Sequence, residues 1–539
     1  MKKFLPLVFL FIISNLIAQQ RPKLVVGIVV DQMKMEYLYR FQSDFSENGF
    51  KRLIDEGYTF YNMHYNFMPT YTAPGHASIY TGTTPAMHGI VSNEWFSRSA
   101  GKEVYCTDDA SVKTLGDGSK EEGEMSPKNL QTTTITDELR LSTNFKGKVI
   151  GISMKDRGAI LPAGHFANWA FWYSKTGSFI SSTFYGSTLP DWVTEFNSQK
   201  GYMKYINQGW DLLKPIATYD ESLADDNPYE GKLYKVDKPV FPYDLKAMLD
   251  KNNPSILRAT PFGNDYVADF AKLAIEKESL GKDTITDFLA VSFSSTDYVG
   301  HSYGSKSIEI EDVYLRLDLD LQELFKTLDA EVGTGNYTLF LTADHGAAEV
   351  PAYLQQQKIP SGLVDEKQVE KELKGMLFKE YGDSLILDIS NQQVFIDHTI
   401  VQKNKLVLNE VENKIAYLLL NMDGIAETYT AEDIKTHSYT GNSFKALLQN
   451  GYNHKRSGDV LFRFNVAYFE AHMKKGTTHG AEFSYDTHVP LLFYGWGIKA
   501  GSTVEAVNIT DIAPTVCSLL NIPFTNGCSG KPIKEVLEN

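Results

Sequence analysis

The chain has 539 residues, 42% hydrophobic and 22% charged, a balance normal for a soluble globular protein with one large core or two ordinary ones. Its formal net charge of −15 argues against a nucleic-acid partner, because binding a phosphate backbone needs clustered Lys and Arg to displace counterions. An enzyme for anionic substrates stays open, provided that positive charge is concentrated in its site.

Lys2 and Lys3 precede an apolar run from Phe4 to Ile13, and Ala18 offers a small residue before Gln19, the pattern of a secretory signal peptide over residues 1–18. The run is short for a membrane span; an uncleaved anchor is the rival reading, and no stable span is expected after cleavage. The mature chain, residues 19–539, is therefore expected in the periplasm or secreted. LVVGIVVDQ, residues 24–32, is a Val/Ile/Leu run ending in Asp31, as in a strand covered on both faces of a parallel sheet. Residues 65–82, YNFMPTYTAPGHASIYTG, predict a turn and a helix start, with Thr72 where free backbone N–H groups can face an anion. A plain N-cap threonine is the commoner fate of such a residue.

GKVIGISMKDRGAILPAGH, residues 147–165, predicts another strand that delivers Lys155 and Arg157 two residues apart, on one face if the strand continues. A solvated edge or a seat for a tetrahedral dianion would both use two such cations. Residues 158–240, rich in Trp, Tyr, Phe, Ser and Gly, are expected to be a rim insertion, with Trp169, Phe171, Trp172 and Tyr173 packed beneath it or lining an entrance. FLAVSFSSTDYVGHSYG, residues 288–304, is a further apolar run leading into Asp297 and His301. The segment from Glu309 to Leu328 alternates apolar and acidic residues at helical spacing and predicts a solvated covering helix.

TLFLTADHG, residues 338–346, stops at Asp344 and His345. A carboxylate and an imidazole at the end of a buried strand are costly without a partner, and a divalent cation satisfies both. An Asp capping the next helix beside a surface His would look the same in isolation. Residues 350–475 carry no such motif and are expected to be a second rim insertion, able to fold as a subdomain. Thr477-Thr478-His479-Gly480 then precedes the apolar run VPLLFYG, residues 489–495. Cys517 and Cys528 are close enough in sequence to pair, although two buried thiols fit as well, and no Cys-x-x-Cys spacing occurs.

In an open α/β sheet, ligands gather at the carboxyl ends of the strands, so these residues should converge as two sets: Asp297, His301 and His479, and Asp31, Asp344 and His345. His76, His88 and His488 are read as hydrogen-bonded core or loop residues.

Taken in order, LVVGIVVDQM, PTYTAPGHASIYTG, HGIVSNEW, KDRGAILPAGH, SSTDYVGHSYG, TADHG, TTHGAEFSYDTHVPLLFYG and DIAPTVCSLLNIP resemble the alkaline phosphatase superfamily. Within it the exported, phosphate-irrepressible bacterial enzymes with a Thr nucleophile are the most similar. The resemblance covers nearly the whole mature chain. It implies an α/β/α sandwich with a mixed, mostly parallel sheet and a catalytic domain over residues 19–539. It implies two zinc ions on the two sets, with Thr72 bridging from the second metal to substrate. Asn93, Lys155 and Arg157 match the residues that contact phosphate.

The implied reaction is broad-specificity hydrolysis of small-molecule phosphate monoesters through a phosphothreonine, by a monomer. A sulfatase is disfavoured, since Thr72-Ala73-Pro74-Gly75-His76 lacks both the Cys or Ser precursor and the Arg of C/S-x-P-x-R. Phosphoglycerate mutases share the metal scaffold, but a signal peptide does not suit a glycolytic role. The rival within the superfamily is a nucleotide pyrophosphatase/phosphodiesterase. A diester offers one fewer free anionic oxygen and gains less from Lys155 and Arg157.

Overall fold

The computed structural model describes residues 21–233, 236–249, 254–441 and 443–538. The expected signal peptide lies outside them. Seven strands carry the architecture: β1 (Leu24–Val30), β2 (Tyr58–His64), β3 (Val149–Ser153), β4 (Trp169–Tyr173), β5 (Asp287–Phe293), β6 (Tyr337–Thr342) and β7 (His488–Gly495). They form the body of an eleven-stranded sheet in the order β2-β7-β6-β1-β5-β3-β4. The pairs from β6 through β4 are parallel, while β7 runs antiparallel to both β6 and β2. The sheet is therefore mixed and mostly parallel. β1, β5 and β6 are buried along their whole length, which is why they read as unbroken apolar runs rather than alternating ones.

Register explains how helices cover the two faces. Gly27, Ala290, Gly151 and Ala170 align across β1, β5, β3 and β4, so one face of the sheet carries a row of small residues. Helices α1 (Thr72–Thr81) and α2 (Asp156–Ala163) pack together against that row. A side chain at Gly151 would run into the Ala159 carbonyl of α2. On the other face Phe171 meets Phe270 of α3 (Phe262–Lys277) edge-on at 5.4 Å. That layer continues with α4 (Ser295–Tyr303) and α5 (Ile308–Leu328).

Two expectations are corrected here. The rim insertion expected over residues 158–240 begins later, because residues 158–163 belong to α2 and residues 169–173 are β4, paired in parallel with β3. Phe171, Trp172 and Tyr173 are accordingly buried strand residues. Nor is α5 a solvated helix: Glu309, Glu311, Asp312 and Asp318 are all buried. Most of their partners come from distant segments. Trp210 Nε1–H donates to Asp312 at 2.8 Å, Arg316 Nε–H at 2.7 Å, and Asp318 accepts the Phe50 N–H at 2.7 Å. Buried acids need such donors, and of these only Arg316, four residues on from Asp312, is visible from the helical period.

Within residues 350–475 a four-stranded antiparallel sheet (Ile386–Ser390, Gln393–Ile396, Val460–Phe464, Ile425–Thr430) packs with helices Glu366–Tyr381 and Leu408–Leu420. Its core, including Leu373, Ile415, Val394 and Phe462, is separate from that of the main sheet. The three cysteines are free thiols.

Candidate active site

Every element that builds the site ends at one edge of the sheet. Asp31 follows β1, Asp344 and His345 follow β6, and Asp297 and His301 lie one turn apart on α4 just after β5. Because β7 is reversed, the same edge receives its N-terminal end, and with it the loop that carries His479. The segment after β2 is tied to that loop: the His479 Nδ1–H donates to the Thr70 carbonyl at 2.8 Å and the Thr70 hydroxyl to the Ala481 carbonyl at 2.9 Å. Thr72 is thus set as the first residue of α1 within this edge. Gly75, one turn on, has room only for hydrogen, since a β-carbon would stand 2.3 Å from the Asp344 carbonyl oxygen.

Of the two ligand sets expected from the sequence, Asp297, His301 and His479 are brought together in full, whereas Asp31 and Asp344 gather with His76 rather than with His345. Asp297, His301 and His479 have ligand atoms close enough to hold one ion. His301 Nε2 lies 3.2 Å and His479 Nε2 3.6 Å from Asp297 Oδ1. In the other set Asp344 Oδ2 lies 3.3 Å from His345 Nε2, which in turn is 3.5 Å from the Thr72 hydroxyl. His76, expected as a hydrogen-bonded core or loop residue, is that and a neighbour of the second set as well. It lies near enough to Asp31 and Asp344 to share an ion with them. Its Nδ1–H donates to the Thr72 carbonyl at 2.9 Å and its Nε2 meets the Ser292 hydroxyl at 3.1 Å, so both nitrogens are engaged, as a hydrogen-bonded core histidine requires. Its position four residues after Thr72, on the same helical face, was the available signal.

The donor set fits divalent cations. Asp344 Oδ2 is buried without a hydrogen-bond donor, and Asp31 Oδ2 has only the Lys155 ammonium at 3.0 Å. His301, His345 and His479 each direct Nδ1–H at a backbone carbonyl, of Thr477, Gly346 and Thr70 respectively. That fixes the tautomer and leaves each Nε2 lone pair for a metal. Three buried carboxylates with mixed imidazole partners favour zinc over magnesium or calcium.

Lys155 is the cation among these acids. Its ammonium donates to Asp297 Oδ2 at 2.6 Å and stands 3.0 Å from Asp31 Oδ2, so it bridges the two sets. Burial opposes its charge, but Asp297 and Asp31 outweigh burial and hold it above the ordinary lysine range. Burial likewise pushes Asp297 up, and His301 with Lys155 holds it well below the usual carboxylate range instead. The stacked rings of His345 and His479, 3.4 Å apart, shift in opposite senses. Burial and the neighbouring His345 push His479 well down, whereas Asp344 overcomes burial to raise His345.

The shared-face geometry expected for Lys155 and Arg157 does not occur. β3 stops at Ser153 and α2 starts at Asp156, so Lys155 caps a helix and Arg157 lies in its first turn. The side chains diverge: Lys155 reaches the carboxylates, while Arg157 donates to the Tyr105 hydroxyl at 2.8 Å and keeps a buried Nε without a partner. Both still line one cavity. Asn93 accepts the Ala73 N–H through Oδ1 at 2.9 Å, which holds its amide beside the start of α1. His88 and His488 are hydrogen-bonded, as expected.

The family model for type I phosphodiesterase / nucleotide pyrophosphatase matches residues 25–486. Alkaline phosphatase PafA of Elizabethkingia meningoseptica is 46% identical over 96% of this chain and 95% of its own length. A protein of Myroides odoratus named calcium-transporting ATPase is 47% identical over 96% and 95%. Alkaline phosphatase PhoV of Synechococcus elongatus is 48% identical over 96% and 93%. The crystal structure of wild-type alkaline phosphatase PafA superposes with a TM-score of 0.93, covering 96% of this chain and 99% of that one. A mutant of PafA has also been crystallised in which a threonine, an asparagine, a lysine and an arginine are replaced. Their types, order and spacing are those of Thr72, Asn93, Lys155 and Arg157. Among the described residues no helix is long and apolar enough to cross a membrane.

Proposed function

The chain belongs to the type I phosphodiesterase / nucleotide pyrophosphatase family and to the alkaline phosphatase superfamily, and on that premise we propose that it is an exported, zinc-dependent phosphomonoesterase. Asp297, His301 and His479 would hold one zinc, and Asp31, Asp344 and His345 the other. The observation that carries the reading is Thr72: a buried hydroxyl at the start of α1, 3.5 Å from the inward nitrogen of His345. When bound, zinc lowers the pKa of a neighbouring hydroxyl and neutralises charge on a departing oxygen.

The Thr72 oxygen attacks phosphorus in line, the ester oxygen leaves, and a phosphothreonine forms. Water then attacks from the vacated side, the bond between phosphorus and the Thr72 oxygen breaks and that oxygen regains a proton, so two inversions give net retention. The transition state is loose, and charge stabilisation on the nonbridging oxygens carries most of the acceleration. The Asn93 amide, the Arg157 guanidinium and the Lys155 ammonium would supply it.

Preference for monoesters over diesters rests on Lys155 and Arg157, because a monoester dianion presents the extra charged oxygen that they would meet. The alkaline phosphatase names of relatives at 46% and 48% identity support the same choice. The terminal phosphate of ATP is a dianion of the same kind, so ATP hydrolysis fits this site as well. The test compares p-nitrophenyl phosphate with bis-p-nitrophenyl phosphate, before and after chelation and zinc restoration. Faster hydrolysis of the monoester, lost on chelation and regained with zinc, is expected. A preference for the diester would overturn the assignment.

A further inference from the structure

Beside the phosphate clamp lies a cavity of about 310 Å³ that none of the reaction steps above uses. Lys155 and Arg157 form one wall, Trp172 and Tyr173 of β4 another, and Arg258 and Lys175 add two cations. The volume is at the lower end for a small-molecule pocket, enough for the organic part of a small phosphoester but not for a large polymer.

Arg258 is the informative residue. One end of its guanidinium donates to the Tyr173 carbonyl, and the group lies 5.4 Å over the Tyr173 ring. These contacts hold the plane still. Yet its Nε–H is buried with no acceptor, the same condition as the Arg157 Nε–H in the same cavity. Two buried guanidinium donors left open are costly unless an anion completes them.

The acids of the cavity do not fill that role. Asp156 accepts the Tyr105 hydroxyl at 2.8 Å and the Thr107 hydroxyl at 2.5 Å. Glu122 accepts the Lys175 N–H at 2.8 Å and the Ser119 N–H at 3.2 Å. The remaining two, Asp108 and Glu121, also line an open surface groove that adjoins the cavity. The lining carries four cations and four acids, so what an anion would meet is not a net charge but the two open guanidinium donors of Arg157 and Arg258.

We propose that this cavity is a subsite for the organic part of the substrate, with Arg258 binding a second anionic group, so that small phosphomonoesters bearing another phosphate or carboxylate are preferred. The inference rests on the phosphomonoesterase reading of the adjoining site. Two anions are then gripped at once, one by Arg157, Asn93 and Lys155 for reaction and one by Arg258 for placement. Arg258 is a specificity residue, and its contribution belongs in KM more than in kcat.

The test is the ratio of kcat/KM for glucose 1,6-bisphosphate to that for glucose 6-phosphate, measured by phosphate release from the zinc-loaded enzyme. The wild type should favour the bisphosphate several-fold at low salt, through KM. Arg258→Met should lower the ratio about tenfold, and Arg258→Lys, which keeps the charge, should retain part of it. An unchanged ratio in Arg258→Met overturns the inference. Should that variant fail to fold, the wild type decides: a ratio below about two at low salt overturns the inference too. Hydrolysis of neither ester by the wild type would bring down the phosphomonoesterase reading itself. Hydrolysis of both with equal KM removes the subsite alone.

Discussion

Replacing Lys155 by Ala separates its two duties, since the ammonium that would meet phosphate also bridges Asp31 and Asp297. In metal-free protein these two buried carboxylates, with Asp344 beside them, would lose their one lysine partner. Removing one member of a buried ion pair costs about 3–5 kcal/mol. The unfolding entropy is about 2.1 cal/mol/K per residue, so a chain of 539 residues has roughly 1.1 kcal/mol/K. The Tm of metal-free Lys155→Ala should therefore fall by about 3–5 °C relative to metal-free wild type. With zinc bound, the carboxylates keep cationic partners, and the fall should shrink to about 1 °C or less. Differential scanning calorimetry of the four samples measures this. Equal falls with and without zinc would refute the bridging role, as would no fall without zinc.

Thr72→Ala should abolish turnover of p-nitrophenyl phosphate while leaving nearly the wild-type zinc content by metal analysis, because the imidazoles and carboxylates remain; substantial turnover in metal-replete protein would contradict the nucleophile assignment. Far from the site, burial beneath residues 220–231 pushes the Glu311 carboxyl up to about 7, and its Oε1 has no partner. A folded-state pKa above the unfolded one gives stability that is present below about 4.5 and is lost as pH rises through about 7. Glu311→Gln should accordingly raise Tm relative to wild type at pH about 8.5 and not at pH about 4.5. The same gain at both pH values would show that its carboxyl does not titrate in this window.

The catalytic edge was legible because charge interrupts apolar runs. Asp31, Asp297 and Asp344 each stand where a strand that must be buried ends, and a carboxylate there has few explanations. What was hidden depends on contacts distant in sequence. The acids of α5 resemble a solvated face until Trp210 and Phe50 are placed against them. β4 resembles an aromatic loop until it is paired with β3. The divergence of Lys155 and Arg157 depends on a strand stopping at Ser153 rather than two residues later, a boundary that periodicity fixes poorly.

The reversed strand β7 has a consequence for when the molecule becomes an enzyme. It lies between β2 and β6, so until residues 488–495 emerge and insert, both neighbours have an open edge. The same late segment delivers His479, the last ligand to be synthesised. A chain lacking that segment therefore carries neither a closed sheet nor a finished reaction centre. Both arrive with one insertion step, so closure of the sheet and completion of the site are a single event late in the chain.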